Sequence, residues 1–247
     1  MQTFYSQQGE DLFVFLNFIN VAREDGTYLE IGGLDGLTYS NTKFFQDELK
    51  YSGVLVEPLP EAYKSLVKNR PLDLTYNLAI SSSEEPVTFV GNWASAGMCG
   101  TMSDSFKVAH HPNAEPYIVD NLPLSNVLCE SGLTYVDFFS LDVEGGELEV
   151  LSTMDWSVPV YIMCIELDGH NEDKDEKCRE ILRENGFVLE HRMCINEFWR
   201  NPNYARKDLL FLPNPQLTDM QHPCMEPHCV PDIKKGIETY AQAKREH

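Results

Sequence analysis

The sequence predicts an open α/β domain whose mostly parallel sheet carries a ligand at the carboxyl ends of its strands. Three observations lead there. The apolar strand Tyr28 to Ile31 runs into a glycine turn at Gly32, Gly33 and Gly36 and then opens a helix. A second strand, Tyr135 to Leu141, meets a second acidic-glycine turn, Asp142 to Glu147, and Val160 to Ile165 is a continuous apolar run of the kind buried on both faces. Open α/β sheets bind ligands at such strand ends.

The elements follow in chain order. Leu12, Phe13, Phe15, Leu16 and Phe18 give a strongly apolar helix ahead of the first strand, to pack on the sheet or cover the site. After the first turn, Ser40 and Asn41 can cap a helix that runs to Leu49 with Phe44 and Phe45 inward. Gly53 to Val56 is the second strand, Glu61 to Lys68 the returning helix, and Leu74 to Ile80 the third strand. Pro86 to Val90 reads as a short strand by alternation. From Gly91 to Asp120 the periodicity is lost, and the expectation is an acceptor-binding lid containing His110 and His111, a pair that is more often structural than basic. A short helix, Leu124 to Glu130, precedes the fourth strand, and helices Glu147 to Met154 and Asp173 to Glu184 flank the fifth. Phe187 to Arg192 and Leu209 to Leu212 are expected to be a final antiparallel pair joined by a long loop. Residues 1–212 make one domain with the lid at about 91–120; residues 213–247 make a partly helical tail.

Composition bounds the function. A chain of 247 residues, 43% hydrophobic, can bury an ordinary core. Its formal net charge of −20 repels a nucleic-acid backbone or an anionic membrane. Neither partner is expected, and neither a signal peptide nor a membrane-spanning run is visible. Seven scattered cysteines form no disulfide framework, which favours a reducing cytoplasm. In the tail, His222, Cys224, His228 and Cys229 match no standard zinc spacing.

The first turn reads ExGGxDG, not the GxGxxG of a phosphate-binding turn, which sets nicotinamide oxidoreductases aside. Glu30 and Asp35 stand where a pyrophosphate would lie and suit a cationic ligand such as S-adenosylmethionine. Glu57 lies about twenty residues beyond the turn, where an acidic strand end meets a ribose diol. A strand-end glutamate before proline is the plainer reading of that residue taken alone.

SQQGEDLFV, YLEIGGLDGLTYSN, VEPLPEAYKSL, NLAIS, FFSLDVEGGELEVL, the Ile165–Glu166 pair and the late DLLFL segment occur in that order between Phe4 and Leu212. Together they resemble the FkbM family of S-adenosylmethionine-dependent methyltransferases. The sequence departs from the family's pattern at Gly33 and Leu34, where Ala and Asn are commoner. The resemblance implies a class I methyltransferase (Rossmann-like) fold: a seven-stranded, mostly parallel sheet with an antiparallel last strand and helices on both faces. It further implies O-methylation, often of sugar or polyketide hydroxyls on a small-molecule or carbohydrate acceptor. By matching, Glu30, Gly32, Asp35 and Gly36 hold the methionine end of the cofactor, Glu57 the ribose and Asn77 to Ala79 the adenine surroundings. Gly33, Asn41, Pro58 and Asp142 complete the cofactor set.

Methyl transfer needs a group to take the acceptor's proton, and Asp142 at the end of the fourth strand is the first candidate. It could instead cap the following helix or contact the cofactor's ammonium. Glu144 and Glu166 are the further candidates. The three carboxylates could also ligate Mg²⁺, although carboxylates beside a cationic cofactor need no metal to explain them. A protein that binds the cofactor without turnover is the alternative, and labelled-cofactor product analysis separates the two.

Overall fold

The computed structural model describes residues 1–83, 85–213, 215, 217 and 219–224. Its central sheet has seven strands: β1 (Thr27–Ile31), β2 (Ser52–Val56), β3 (Leu74–Tyr76), β4 (Val136–Leu141), β5 (Val160–Glu166), β6 (Val188–Met193) and β7 (Asn196–Arg200). Their spatial order is β6-β7-β5-β4-β1-β2-β3, parallel except for β7, which runs antiparallel to both neighbours. The chain winds outward from β1 in one direction and from β4 in the other. Their junction is the switch point at which such sheets bind ligands.

The helices are α1 (Glu10–Asn17), α2 (Lys43–Leu49), α3 (Pro60–Asn69), α4 (Asp104–His110), α5 (Leu124–Ser131), α6 (Glu147–Ser152) and α7 (Glu172–Glu184). Side-chain alternation along each strand divides the core in two. Tyr28 and Phe138 face Phe13, Phe44, Phe45 and Leu66 of α1, α2 and α3. Leu29 and Phe139 face Val127, Leu151 and Leu182 of α5, α6 and α7. Helices therefore cover both faces, so the central strands β1, β4 and β5 are buried on both sides, their buried residues apolar apart from Glu30, Asp137 and Ser140. Among the described residues no helix is long and apolar enough to cross a membrane.

Three expectations are corrected. The run Leu74 to Ile80 is two strands: Leu74–Tyr76 joins the sheet, while Ala79–Ile80 pairs in parallel with Asn121–Leu122. Asn77 makes the break by donating to the carbonyls of Glu57 and Pro58. The stretch 91–120 is not irregular throughout. Val87–Val90 is the middle of a three-stranded antiparallel sheet with Gly97–Met98 and Tyr117–Val119, and a 3₁₀ turn (Trp93–Ser95) and α4 fill the rest. Strands of two or three residues are too short to show a period.

The largest correction concerns the last strand. It is Asn196–Arg200, joined to β6 by a tight turn at Cys194 and Ile195, and Leu209 ends a 3₁₀ turn, Lys207–Leu209, instead of starting a strand. β7 hid because it buries polar groups. Glu197 is sunk in the sheet, paired with Arg179 and Arg192, and Asn196 donates to Gln8 and Glu10. The turn carries no Gly, and Cys194 takes φ 53° itself. His228, Cys229 and the helix expected in the tail lie outside the described residues.

Candidate active site

Strand register positions the site. Ile31, Val56, Leu141 and Ile165 form one row across the sheet. Gly32, Glu57, Asp142 and Glu166 therefore emerge side by side at its carboxyl edge, on a cavity of about 430 Å³, a size typical of small-molecule sites.

Of the residues nominated from sequence, Glu30, Gly32, Gly33, Asn41, Glu57, Pro58, Ala79, Asp142, Glu144 and Glu166 line this cavity. Asp35, Gly36 and Asn77 do not. Asp35 folds back on its own turn, accepting from the backbone of Leu37 and Thr38 and from the Thr38 hydroxyl. Gly36 sits with φ 75° under Arg70, whose Cγ would lie 2.7 Å from an added Cβ. These residues shape the loop from behind.

Gly32 is required where it stands. At φ 89° an added Cβ would lie 1.8 Å from the Asp142 carbonyl oxygen, so only glycine lets the two strand ends meet. Glu30 is buried and saturated: Ser40 and Thr42 hydroxyls, the Asn41 amide and Arg70 all donate to it. Its part is to hold the 40–42 loop. The N-cap of α2 is Thr42, not the expected Ser40 or Asn41, although Ser40 accepts from the backbone of Lys43 in the first turn, and Asn41 turns inward. Its Nδ2 donates to Ser140, and its Oδ1 is buried without a partner. Glu57 takes one backbone amide on each oxygen, from Leu34 at 2.8 Å and Leu59 at 2.7 Å. Burial pushes its carboxyl up to about 7.

Asp142, Glu144 and Glu166 bring their carboxylate oxygens within 4.8 Å of one another. Burial raises all three: Asp142 to about 6, Glu144 to about 9 and Glu166 well above the usual carboxylate range, with mutual repulsion adding to the last two. Glu166 keeps its proton and donates it in a hydrogen bond to Asp142, which offsets part of the burial effect there. Asp142 is thus the most acidic of the three and the one that carries the charge. Lys174 is drawn off to Glu147 and Asp175.

Three further residues line the cavity, of which Trp93 lies in the segment expected to be the lid and Asp168 and His170 carried no expectation. Asp168 and His170 form a hydrogen-bonded pair beside Glu166, and Trp93 stands half exposed at the cavity. The DGH tripeptide after a strand-end Glu was the available signal for the first two; Trp93 stands out as an aromatic in an otherwise aperiodic stretch rich in Gly, Ser and Asn.

A doubly covered sheet with this strand order, a glycine turn at β1 and a carboxylate at the end of β2 is the fold of a class I methyltransferase. A family model described as the methyltransferase FkbM domain matches residues 30–189, and the chain belongs to that family. Solved structures it resembles include the FkbM methyltransferase of Methylobacillus flagellatus KT, at 12% identity and a TM-score of 0.47 over 76% of this chain and 47% of that one. Fibrillarin of Aeropyrum pernix, solved with natively bound S-adenosylmethionine, has 12% identity and a TM-score of 0.42 over 77% and 72%. A TehB-like methyltransferase of Corynebacterium glutamicum has 9% identity and a TM-score of 0.39 over 78% and 87%. No curated protein matches the sequence.

The cofactor is accordingly S-adenosylmethionine, and the residues fit it. Glu57, pinned by two amides, keeps lone pairs on both oxygens for the ribose hydroxyls. The partnerless Asn41 Oδ1 suits an ammonium, which brings donors. Gly32 and Gly33 leave the floor open for close approach.

Proposed function

We propose that the protein transfers the methyl group of S-adenosylmethionine to a hydroxyl of a sugar or another small-molecule acceptor. One observation carries this reading: the carboxyls of Asp142, Glu144 and Glu166 meet within 4.8 Å of one another on the cavity wall at the carboxyl end of the sheet, with burial raising Asp142 only to about 6 and Glu166 well above the usual carboxylate range. A hydroxyl must lose its proton as it is methylated, and a buried base whose acidity lies near the working pH takes it best. When bound, the cofactor supplies an electrophilic methyl group on a sulfonium. Asp142 would accept the hydroxyl proton, the bound cofactor supplying the methyl group to the acceptor oxygen and departing as a neutral thioether. Glu166 stabilises the Asp142 charge by its hydrogen bond, and Glu144, neutral at pH 7, adds no competing charge. Holding the acceptor in line contributes further. Labelled-cofactor transfer to pooled glycans and small metabolites tests the assignment; binding without product would leave a catalytically silent module in its place.

Glu57→Ala should weaken cofactor binding by about 1.5 to 3 kcal/mol, the cost of losing hydrogen bonds to a charged group. Calorimetry reads this directly. Unliganded stability should fall as well, because the substitution strands the Leu34 and Leu59 amides, and a fall in stability at constant affinity would make Glu57 a structural residue only.

The 91–120 insertion supplies Trp93, Ser95, Ala96 and His110 to the cavity wall, and we assign it as an acceptor lid. Its strands are short and few apolar groups anchor it, so amide exchange there should be fast in the free protein and slow once acceptor binds. Full protection without acceptor would count against a lid.

A further inference from the structure

We propose that Trp93 is the platform on which the acceptor lies, a sugar ring resting its apolar face on the indole while the Asp168–His170 pair reads one of its other hydroxyls. The inference deepens the methyl-transfer reading and rests on it. Trp93 lines the cavity yet is 51% exposed, and it belongs to none of the apolar clusters of the described residues. Packing does not account for its position. Its backbone is also in the left-handed region at φ 58°, which costs a bulky L-residue about 1 to 2 kcal/mol. Surrounding bonds hold it there. Ala96 donates to the Trp93 carbonyl at 3.1 Å, and His111 Nε2 lies 2.7 Å from the Ser95 carbonyl oxygen. A strained residue held at a cavity without a packing reason points to a ligand.

His170 comes from a different element, the loop between β5 and α7. Its Nδ1 lies 2.6 Å from Asp168 Oδ2, and Asp168 Oδ1 accepts from the His170 backbone at 2.9 Å, so the ring is held in place. An imidazole nitrogen can exchange a hydrogen bond with a hydroxyl in either tautomer. An indole, an imidazole and the Asp142 and Glu144 carboxyls lining one cavity match a molecule with C–H groups on one face and hydroxyls at its rim. A nucleobase would also stack, but a chain of net charge −20 repels the phosphates attached to it.

Labelled-cofactor transfer to methyl glycosides, matched linear alditols and an oligoribonucleotide tests the proposal. Glycosides should be methylated in preference to the other two. Trp93→Ala should raise KM for the best glycoside about tenfold, with kcat within about threefold and cofactor affinity unchanged, and Trp93→Phe should recover most of the loss. His170→Ala should also raise KM, with partial recovery in His170→Gln. An unmoved KM in Trp93→Ala, a parallel fall in cofactor affinity, or equal use of alditols or the oligonucleotide would overturn the platform. Binding without turnover is read separately, by titrating the S-adenosylhomocysteine complex with the same glycosides and following tryptophan emission in wild type and Trp93→Phe. A change confined to wild type supports the platform even where no methyl group moves, in which case only the methyl-transfer reading fails; no change in wild type overturns the platform.

Discussion

Asp142→Asn should lower turnover by roughly 10² to 10⁴ while leaving cofactor affinity nearly unchanged. The amide keeps the shape and can still accept from Glu166, but it cannot take a proton. Wild-type kcat/KM should fall as pH drops through about 6, because the base must be ionised and burial has raised Asp142 to that value. The acid limb should vanish in the variant. Single-turnover rates with calorimetry on the same preparations decide the matter. A drop in cofactor affinity ahead of turnover would make Asp142 a grip on the ammonium. Activity lost to a chelator and restored by Mg²⁺ would assign Asp142, Glu144 and Glu166 to a hard cation. Near-normal turnover would remove Asp142 from the mechanism.

What was legible in the sequence follows from what each residue faces. β1, β4 and β5 are buried on both sides, so their apolar runs could be read directly, and Gly32 was visible because no other residue lets Asp142 approach. Glu57 and the Asp142–Glu144–Glu166 group stand at strand ends, where residue type and spacing carry the chemistry. β7 was missed because its buried Asn196 and Glu197 are matched by partners far away in sequence: Gln8, Glu10 and Arg179. No local pattern encodes such a match. The same blindness covers Asp35 and Asn77: type and position nominated them for the cofactor, and only the fold reveals that their polar groups are spent on nearby backbone.

Arg70 is the clearest case of a residue without a sequence signal, and its loss should be the most damaging to the fold. It ends α3 in an ordinary KNR tripeptide, yet it is 1% exposed and holds the back of the site together. Its guanidinium donates to the Gly36 carbonyl, Ser40, Thr42 and Tyr28, and it pairs with Glu30 at 3.2 Å and Asp73 at 3.3 Å. Burial raises both carboxyls, and Arg70 is the main influence restraining that rise. Arg70→Met would keep the stem's packing and strand both groups. The expected loss is about 3 to 5 kcal/mol, the cost of an uncompensated buried charge, and roughly 10 °C or more in Tm for a chain of this size. The pH dependence has a definite sign. Without the cation, Glu30 and Asp73 bind protons more tightly in the fold than in the unfolded chain, so the variant's deficit should be largest at neutral and alkaline pH and shrink as pH falls. Adding Glu30→Gln and Asp73→Asn to Arg70→Met should recover part of the stability at pH 8. If the triple variant is no more stable than Arg70→Met there, stranded charge is not the cause, and the lost donors to Gly36, Ser40 and Thr42 are.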